Sequence, residues 1–281
     1  MPKIQIEILE KLYEIAYSLA KQLKENPEFV ISSGSGFSGV WDKFNILQRI
    51  SFNEINSMPT VNVEGHGNEI VVIQHSGKIG LVFTGRFHLY EDYSIEEILI
   101  PIIIPCLFGV KNFILFNAAG GLNPKFNVGD IMIIEDIINF TSKKIQNIFN
   151  SSFLTDKDFS CDIFAKQWIS RTEVMLSENK ISYHKGTYIE VTGPTYETRA
   201  EVKMFRTFGG DAIGMSTALE SIAASLLKTN VLAFSIITNQ LKEVKKNGIS
   251  HQEVLNAVLS KQSDIEKIID FAIQSIDLSY M

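Results

Sequence analysis

Short β-rich segments alternate with helix-like segments along almost the whole chain, and this alternation limits the fold more than any other feature of the sequence. Apolar, β-branched runs such as 28–33 (EFVISS) and 231–240 (VLAFSIITNQ) indicate buried strands, whereas 164–176 repeats its apolar residues at helical spacing. Such alternation is typical of α/β folds. Ligands in these folds lie beyond the carboxyl ends of strands, so we expect the site where polar residues follow strands.

The composition is ordinary for a folded enzyme, and we expect residues 1–281 to form a single domain. Hydrophobic residues make up 45% of the 281 residues and charged residues 21%, which is enough apolar material for a core. The net charge of −6, without a large basic cluster, argues against nucleic acid or an anionic membrane as the main partner. The most apolar run, 98–110, is too short to cross a bilayer and contains two prolines. We interpret it as a buried helix.

Two cysteines, Cys106 and Cys161, are the whole thiol content of the chain. They form no CxxC pair and no Cys/His spacing typical of zinc ligands. The sequence therefore predicts no disulfide framework and no metal site, and it fits the reducing cytoplasm.

Two helix starts lie close together in residues 193–220, and each follows a glycine-containing loop. A threonine followed three residues later by a glutamate is the capping-box pattern. The first N–H groups of a helix are unpaired and its N-terminus carries partial positive charge, so Glu197 and Ser216, placed just before the boxes, face electropositive helix ends. The two boxes are Thr198 with Glu201 and Thr217 with Glu220.

Arg86, His88 and Tyr90 alternate in the segment TGRFHLYEDYS. If the preceding strand continues, these three side chains point to one face. A buried guanidinium needs an anionic partner, which would be either a bound anion or an internal carboxylate from Asp92 or Glu91. Both interpretations stay open on the sequence alone.

Glycine-rich turns follow two further strands. The turn GSGFSG contains Ser35 and suits either an anion or a tight turn, and the small residues from Ala118 to Gly121 suit either a ligand at the main chain or a crossover turn. Thr238 and Asn239 end the strand 231–240. His66 is a lone loop histidine and indicates no function by itself. The polar stretch 141–163 is predicted to be a long irregular loop.

Six of these segments, taken in order, resemble the trimeric-type purine nucleoside phosphorylases over residues 29–257. They are GSGFSG, GRFHLYEDYS, NAAGGLNP, GPTYETRAE, GMST and SIITN. The resemblance implies a three-layer α/β fold with a central mixed, partly barrel-like sheet flanked by helices. It also implies a homotrimer that cleaves purine nucleosides with inorganic phosphate, without another cofactor, in purine salvage.

The same resemblance implies a phosphate, a ribose and a base subsite, with Glu197, Asn239 and His88 as the catalytic residues. The phosphate subsite would be formed by Ser35, His66, Arg86, His88, the main chain of Ala118, and Ser216. The ribose subsite would be formed by Tyr90, Met215 and His251. The base subsite would be formed by Tyr196, Glu197 and Asn239.

Residue chemistry at the base end favours 6-oxopurines. A 6-oxopurine offers its N1–H to a carboxylate such as Glu197, whereas adenine presents a bare acceptor there. The Glu197 and Asn239 pair argues against a methylthioadenosine phosphorylase. A non-catalytic nucleoside-binding protein with the same fold is a further alternative, which the retention of the polar side chains disfavours.

The chain departs from the family pattern at two positions near the site. Asp92 stands where the family usually has glycine, and Leu219 stands where it usually has proline. The loop 141–163 lacks the usual family pieces. Phe153 or Phe159 is expected to supply the aromatic side chain that relatives give to the neighbouring subunit's sugar site.

Overall fold

The computed structural model describes residues 3–34, 36–37, 39–61, 67–143, 145, 162–241 and 251–276, with the backbone only for 3–7 and 251–252. Within these ranges the chain forms nine strands and eight helices. The strands are β1 Phe29–Ser32, β2 Asn45–Ser51, β3 Glu69–His75, β4 Lys78–Phe83, β5 Asn112–Gly121, β6 Ile131–Asn139, β7 His184–Glu190, β8 Ala212–Gly214 and β9 Asn230–Gln240. The helices are α1 Lys3–Gln22, α2 Ile95–Ile98, α3 Ile100–Leu107, α4 Lys166–Glu178, α5 Arg199–Thr207, α6 Ala218–Leu226, α7 His251–Ser260 and α8 Gln262–Gln274.

All nine strands belong to one mixed sheet with the order β2-β3-β4-β1-β5-β8-β7-β6-β9. Parallel pairs such as β1 with β5 and β6 with β7 occur beside antiparallel pairs such as β3 with β4 and β6 with β9. In addition, β9, the last strand of this order, pairs with β5, the fifth strand of the order. The sheet is therefore open on one side and closed into a barrel on the other, as the family resemblance implied.

The barrel closes because the long strand β5 changes partners along its length. Residues 112–115 pair with β1, and the last two residues, Gly120 and Gly121, pair with β8. On its other side β5 pairs with β9 from Asn112 to Gly121. The five strands β5, β8, β7, β6 and β9 thus form the closed part, and β1 to β4 form the open extension.

Helices cover the sheet and bury one large hydrophobic cluster and a smaller second one. α6 packs on β9, β6 and β7, α7 packs on β9, and α4 packs on α8 and β9. On α1 an apolar stripe formed by Leu12, Ile15 and Leu19 is buried. Both capping boxes predicted from the sequence, at Thr198 and Thr217, stand at helix starts, and a third box, at Ser94, begins α2.

The structure differs from the sequence prediction in three elements. The run 98–110 is not one helix, since α2 ends at Ile98 and α3 begins at Ile100 with Pro101 in its first turn. The strand before Arg86 does not continue through Tyr90, because β4 ends at Phe83. The edge strand β2 was not predicted, since only Ile50 of its seven residues is buried and the others are exposed or half-buried.

No helix in the described part of the chain is long and apolar enough to cross a membrane. Cys106 lies on α3, and burial raises the pKa of its thiol to about 12, so the thiol is protonated near neutral pH. Cys161, Phe153 and Phe159 lie outside the described residues.

Candidate active site

A cavity of about 270 Å³ lies at the carboxyl ends of β5 and β9 and beside the loops that follow β7 and β8. This volume is close to the lower end of the range for small-molecule sites, roughly 300 to 1,000 Å³. Arg86 and Ser216 line one part of the wall, and Glu197 and Asn239 line another. Side chains far apart in sequence therefore share one cavity, as the sequence analysis expected.

Arg86 lies in the floor of the cavity and is almost completely buried, with 1% of its surface exposed. Its Nε is 3.0 Å from the Glu220 carboxylate. Its Nη1 donates to the carbonyl of Phe116 at 2.8 Å and to Oγ of Ser216 at 3.3 Å, and its Nη2 donates to Oγ of Ser32 at 3.2 Å. The guanidinium is thus fixed in one orientation with its charge balanced by a carboxylate.

The internal partner of Arg86 is Glu220, so the sequence hypothesis that named Asp92 or Glu91 was wrong. Glu91 instead accepts from Nδ1 of His88 at 2.9 Å. Asp92 adopts a left-handed backbone with φ 63°, a conformation that glycine adopts without strain and aspartate tolerates. This conformation explains why a glycine suits position 92 in relatives and why aspartate can replace it.

His88 and Tyr90 form a stacked pair beside the Arg86 floor. Their ring centroids are 4.9 Å apart and the rings are nearly parallel, at 17°. Burial, with the Glu91 carboxylate nearby, raises the pKa of the Tyr90 phenol to about 12. Tyr90 is therefore a neutral hydroxyl at physiological pH and offers a donor to a ligand in the cavity.

The start of α6 brings Ser216 to the cavity wall, next to a strained backbone at Thr217. Thr217 has φ 82°, which is rare for a residue other than glycine. Its N–H donates to the Glu220 carboxylate at 3.0 Å, and its hydroxyl accepts from Nδ2 of Asn117 at 3.0 Å. Such strain persists only where surrounding contacts hold it, and it concentrates at functional sites.

Asn239 presents a donor at the other end of the cavity. The hydroxyl of Thr238 donates to its Oδ1 at 3.2 Å, which fixes the amide orientation. Its Nδ2 is buried and has no hydrogen-bond partner among the described residues. A buried donor without a hydrogen-bond partner destabilises the folded state, so we expect this nitrogen to donate to an acceptor on a bound ligand.

Glu197 and Tyr196 lie in the loop between β7 and α5 and line the same end as Asn239. Tyr196 is 42% exposed. Burial, with the carboxylates of Glu197 and Glu253 nearby, raises the pKa of its phenol. A flat ring and a carboxylate at the mouth of the cavity can hold a planar, hydrogen-bonding ligand.

Gly193 allows the middle of the cavity wall to close. Its φ is 74°, and a Cβ at this position would lie 2.4 Å from Sδ of Met215 and 3.0 Å from Cδ1 of Tyr90. Only glycine combines this backbone conformation with so close an approach. Met215 and Tyr90 are therefore held together by the loop that begins at Gly193.

Nine of the predicted site residues line the cavity, and three others fall outside the described part of the chain. Ser35, His66 and the side chain of His251 lie outside it, although Val254 of α7 does line the cavity. The nine are Arg86, His88, Tyr90, Ala118, Tyr196, Glu197, Met215, Ser216 and Asn239.

Sequence reasoning missed several residues that orient these side chains. Glu220 was interpreted only as a helix cap and Glu91 only as a possible partner of Arg86, and Asn117 and Thr238 received no role. Asn117 carried a usable signal, since a polar residue begins the small-residue stretch at the end of β5. Within the described ranges, no group of three or more His, Cys, Asp or Glu side chains could hold a metal ion.

Comparison with known proteins places the chain among phosphorylases. The model of the phosphorylase superfamily matches residues 31–274. Purine nucleoside phosphorylase from Rattus norvegicus is 36% identical over 268 residues, which cover 92% of each chain. A schistosoma purine nucleoside phosphorylase solved with hypoxanthine is 28% identical, with a TM-score of 0.85, and the match covers 95% of this chain and 98% of that one. The Schistosoma mansoni enzyme solved with adenosine has the same identity and coverage and a TM-score of 0.86.

Proposed function

The chain belongs to the purine nucleoside phosphorylases of the phosphorylase superfamily, and we propose that its substrates are inosine, guanosine and their deoxy forms. As a pentosyltransferase, it transfers the pentose from the purine to inorganic phosphate. The products are the free base and ribose or deoxyribose 1-phosphate, which serve purine salvage. This proposal rests on one observation: Arg86 and Ser216 line one part of a cavity, and Glu197 and Asn239 line another part of the same cavity.

Phosphate would bind at the Arg86 end. The hydroxyl of Ser216, the main chain at Ala118 and His88 line this end together with the guanidinium. Because Glu91 accepts from Nδ1–H of His88, Nε2 would face the phosphate, and in the neutral imidazole it would accept from the O–H of hydrogen phosphate. Ser35 and His66 are proposed to complete the set. Because Glu220 already balances Arg86, much of the binding would come from neutral donors with fixed positions.

The ribose would lie between the two ends, against Tyr90 and Met215 with His251 at its 5′ side. Cleavage of an N-glycosidic bond passes through a transition state in which the sugar carries positive charge. A phosphate held next to the sugar stabilises that charge, and its oxygen attacks the anomeric carbon. The bond from this carbon to the purine nitrogen breaks as the bond to the phosphate oxygen forms.

The purine would be held by Glu197 and Asn239, with Tyr196 on its face. As the bond breaks, the glycosidic electron pair moves onto the base. Nδ2 of Asn239 can donate to N7, and Glu197 can accept from N1–H. The hydrogen bond from Asn239 to N7 strengthens as the base gains electrons, which lowers the barrier rather than only the ground state, whereas the Glu197 contact holds the base in position.

We expect the enzyme to turn over inosine at least about 100-fold faster than adenosine, measured as kcat/KM with saturating phosphate. The adenine N1 would face the Glu197 carboxylate with two acceptors opposed. Release of hypoxanthine and of adenine by the purified protein measures the ratio, and methylthioadenosine serves as a third substrate. Faster cleavage of adenosine or methylthioadenosine would contradict the proposed base preference.

Replacing Gly193 by Ala should raise the KM for inosine on the order of tenfold, about 1.4 kcal/mol of binding. The new methyl group would displace Met215 and Tyr90 from the proposed sugar subsite. Gly209→Ala is the matched control, because Gly209 also has a positive φ, 88°, but a Cβ there contacts nothing within 4 Å. Equal effects of the two substitutions would show that backbone strain alone is responsible.

The proposal extends to assembly and location. We propose that residues 1–281 act as one domain and assemble as a homotrimer in the cytoplasm, as the family resemblance implies. The low cysteine content supports the cytoplasmic location. Sedimentation of the purified protein measures the oligomeric state.

A further inference from the structure

Glu190, the last residue of β7, carries a buried carboxyl group that the proposed mechanism does not use. Its side chain is 1% exposed. Its Oε2 accepts from the N–H of Leu219 at 2.9 Å, and the N–H of Ala218 also contacts this carboxyl. These two N–H groups belong to the first turn of α6, where a helix has no internal acceptors for them.

Glu190 and Glu220 together accept hydrogen bonds from the backbone N–H groups at the start of α6. Glu220 accepts from the N–H of Thr217, while Glu190 accepts from the next two residues. Ser216, the proposed phosphate ligand, directly precedes this doubly bound turn. Any shift of α6 would therefore move the Ser216 hydroxyl.

The buried carboxyl groups of Glu190 and Glu220 lie near one guanidinium, that of Arg86, which is paired with Glu220. The charged or titratable groups that face Glu190 are Glu220 on α6, Arg86 in the loop after β4, and Tyr188 on its own strand. Burial, together with the nearby Glu220 carboxylate, raises the pKa of Glu190 to about 8. The N–H donors of α6 and the charge of Arg86 lower this pKa, but their effect is smaller. Glu190 is therefore largely protonated and neutral at pH 7.

We propose that Glu190 is a positioning residue for the phosphate end of the site, holding the first turn of α6 in place while its own charge state sets the affinity for the anion. This inference rests on the proposed function, because it takes phosphate as the ligand beside Ser216.

Leu219 makes this contact possible. A proline at this position would present no N–H to Glu190. The leucine supplies the donor at 2.9 Å. The carboxyl group and the residue at 219 thus form a matched pair across the start of α6.

The sign of the pH effect follows from the charges. Below about pH 8 Glu190 is neutral, and Arg86 and Glu220 balance each other. Above that pH Glu190 adds a negative charge beneath the proposed phosphate subsite. An uncompensated buried charge repels an anion, so the KM for phosphate should rise as pH increases through 8.

The test compares wild type with Glu190→Gln, which keeps an acceptor for the Leu219 N–H but cannot ionise. From pH 7 to pH 9 the KM for phosphate of wild type should rise by a factor on the order of ten relative to that of Glu190→Gln. The ionisation of the substrates is the same for both proteins and cancels in this ratio. Glu10→Gln, an exposed change on α1, should follow the wild-type profile.

Thermal unfolding gives a second readout. The folded chain holds the Glu190 proton up to about pH 8, whereas the unfolded chain releases it near the ordinary value of 4.5. Wild type should therefore lose stability relative to Glu190→Gln as pH rises through this window.

A second pair of variants tests the contact itself. Leu219→Pro removes the N–H donor at a first-turn position that tolerates proline, and Leu219→Ala keeps the donor while removing the same side chain. We expect a several-fold higher KM for phosphate in Leu219→Pro than in Leu219→Ala. Coincident pH profiles of wild type and Glu190→Gln, or equal KM values for the two Leu219 variants, would overturn the inference. Absence of any phosphate-dependent cleavage by wild type would instead overturn the proposed function.

Discussion

Asn239→Ala is expected to lower kcat/KM for inosine by about 10² to 10³, with the fold intact. The lost group is the buried Nδ2 donor, which has no partner among the described residues. If this nitrogen binds N7 of the leaving base, its contribution is largest in the transition state. Glu197→Ala should cause a comparable loss, because its carboxylate would bind the other side of the same base.

Asn239→Asp sharpens this test, because it keeps the shape of the side chain but removes the donor. It should be nearly as impaired as Asn239→Ala. Thr238→Val should cause a smaller loss, since it removes only the hydroxyl that orients the amide. Asn53→Ala, at an exposed position, serves as a control. Turnover within threefold of wild type in Asn239→Ala would refute the assignment of the base subsite.

Arg86→Gln is expected to reduce the free energy of unfolding by about 3 to 5 kcal/mol. The substitution leaves the Glu220 carboxylate buried without its cation, since both side chains are only 1% exposed. For a chain of this size such a loss lowers the unfolding temperature by roughly 10 °C. Scanning calorimetry at pH 7 without phosphate measures the change.

The double variant Arg86→Gln with Glu220→Gln should recover most of that loss, because it removes both charges together. Lys43→Gln is the matched control for a surface ion pair. Lys43 lies 2.7 Å from Glu266 but its side chain is 63% exposed, so we expect a change below about 1 kcal/mol. An unfolding temperature for Arg86→Gln within 2 °C of wild type, as an order-of-magnitude threshold, would show that the pair contributes little.

The sequence predicted the site more fully than it predicted the contacts that support the site. Polar residues at strand ends, such as Ser216 and Asn239, were identified because α/β folds gather such residues at one edge. The Arg86 and Glu220 pair was missed because the partners are 134 positions apart, and nearer carboxylates fitted the charge equally well. Local sequence patterns identify candidate functional residues, but only the packed sheet determines which of their side chains contact one another.

The same limit explains the fold differences. An edge strand such as β2 has no strong apolar pattern, because only one of its seven residues is buried. The closure of β5 onto β9 depends on a long-range register that composition does not encode, and it entered the prediction only through family resemblance. The sequence analysis gave Glu190 no role. Its pattern, a single acidic residue in the β-rich run 186–193, could have drawn attention to it.

Barrel closure has a consequence for how such an enzyme can acquire new substrates. The strands β5, β7, β8 and β9 each have a hydrogen-bonded neighbour on both sides. None of them can slip by one residue without breaking two ladders, and a slip would exchange inward and outward side chains. Changes of substrate specificity must therefore come from single replacements on the strands of the closed part of the sheet, or from changes in the loop that carries Tyr196 and Glu197. Insertions in that loop leave the strand pairing unchanged.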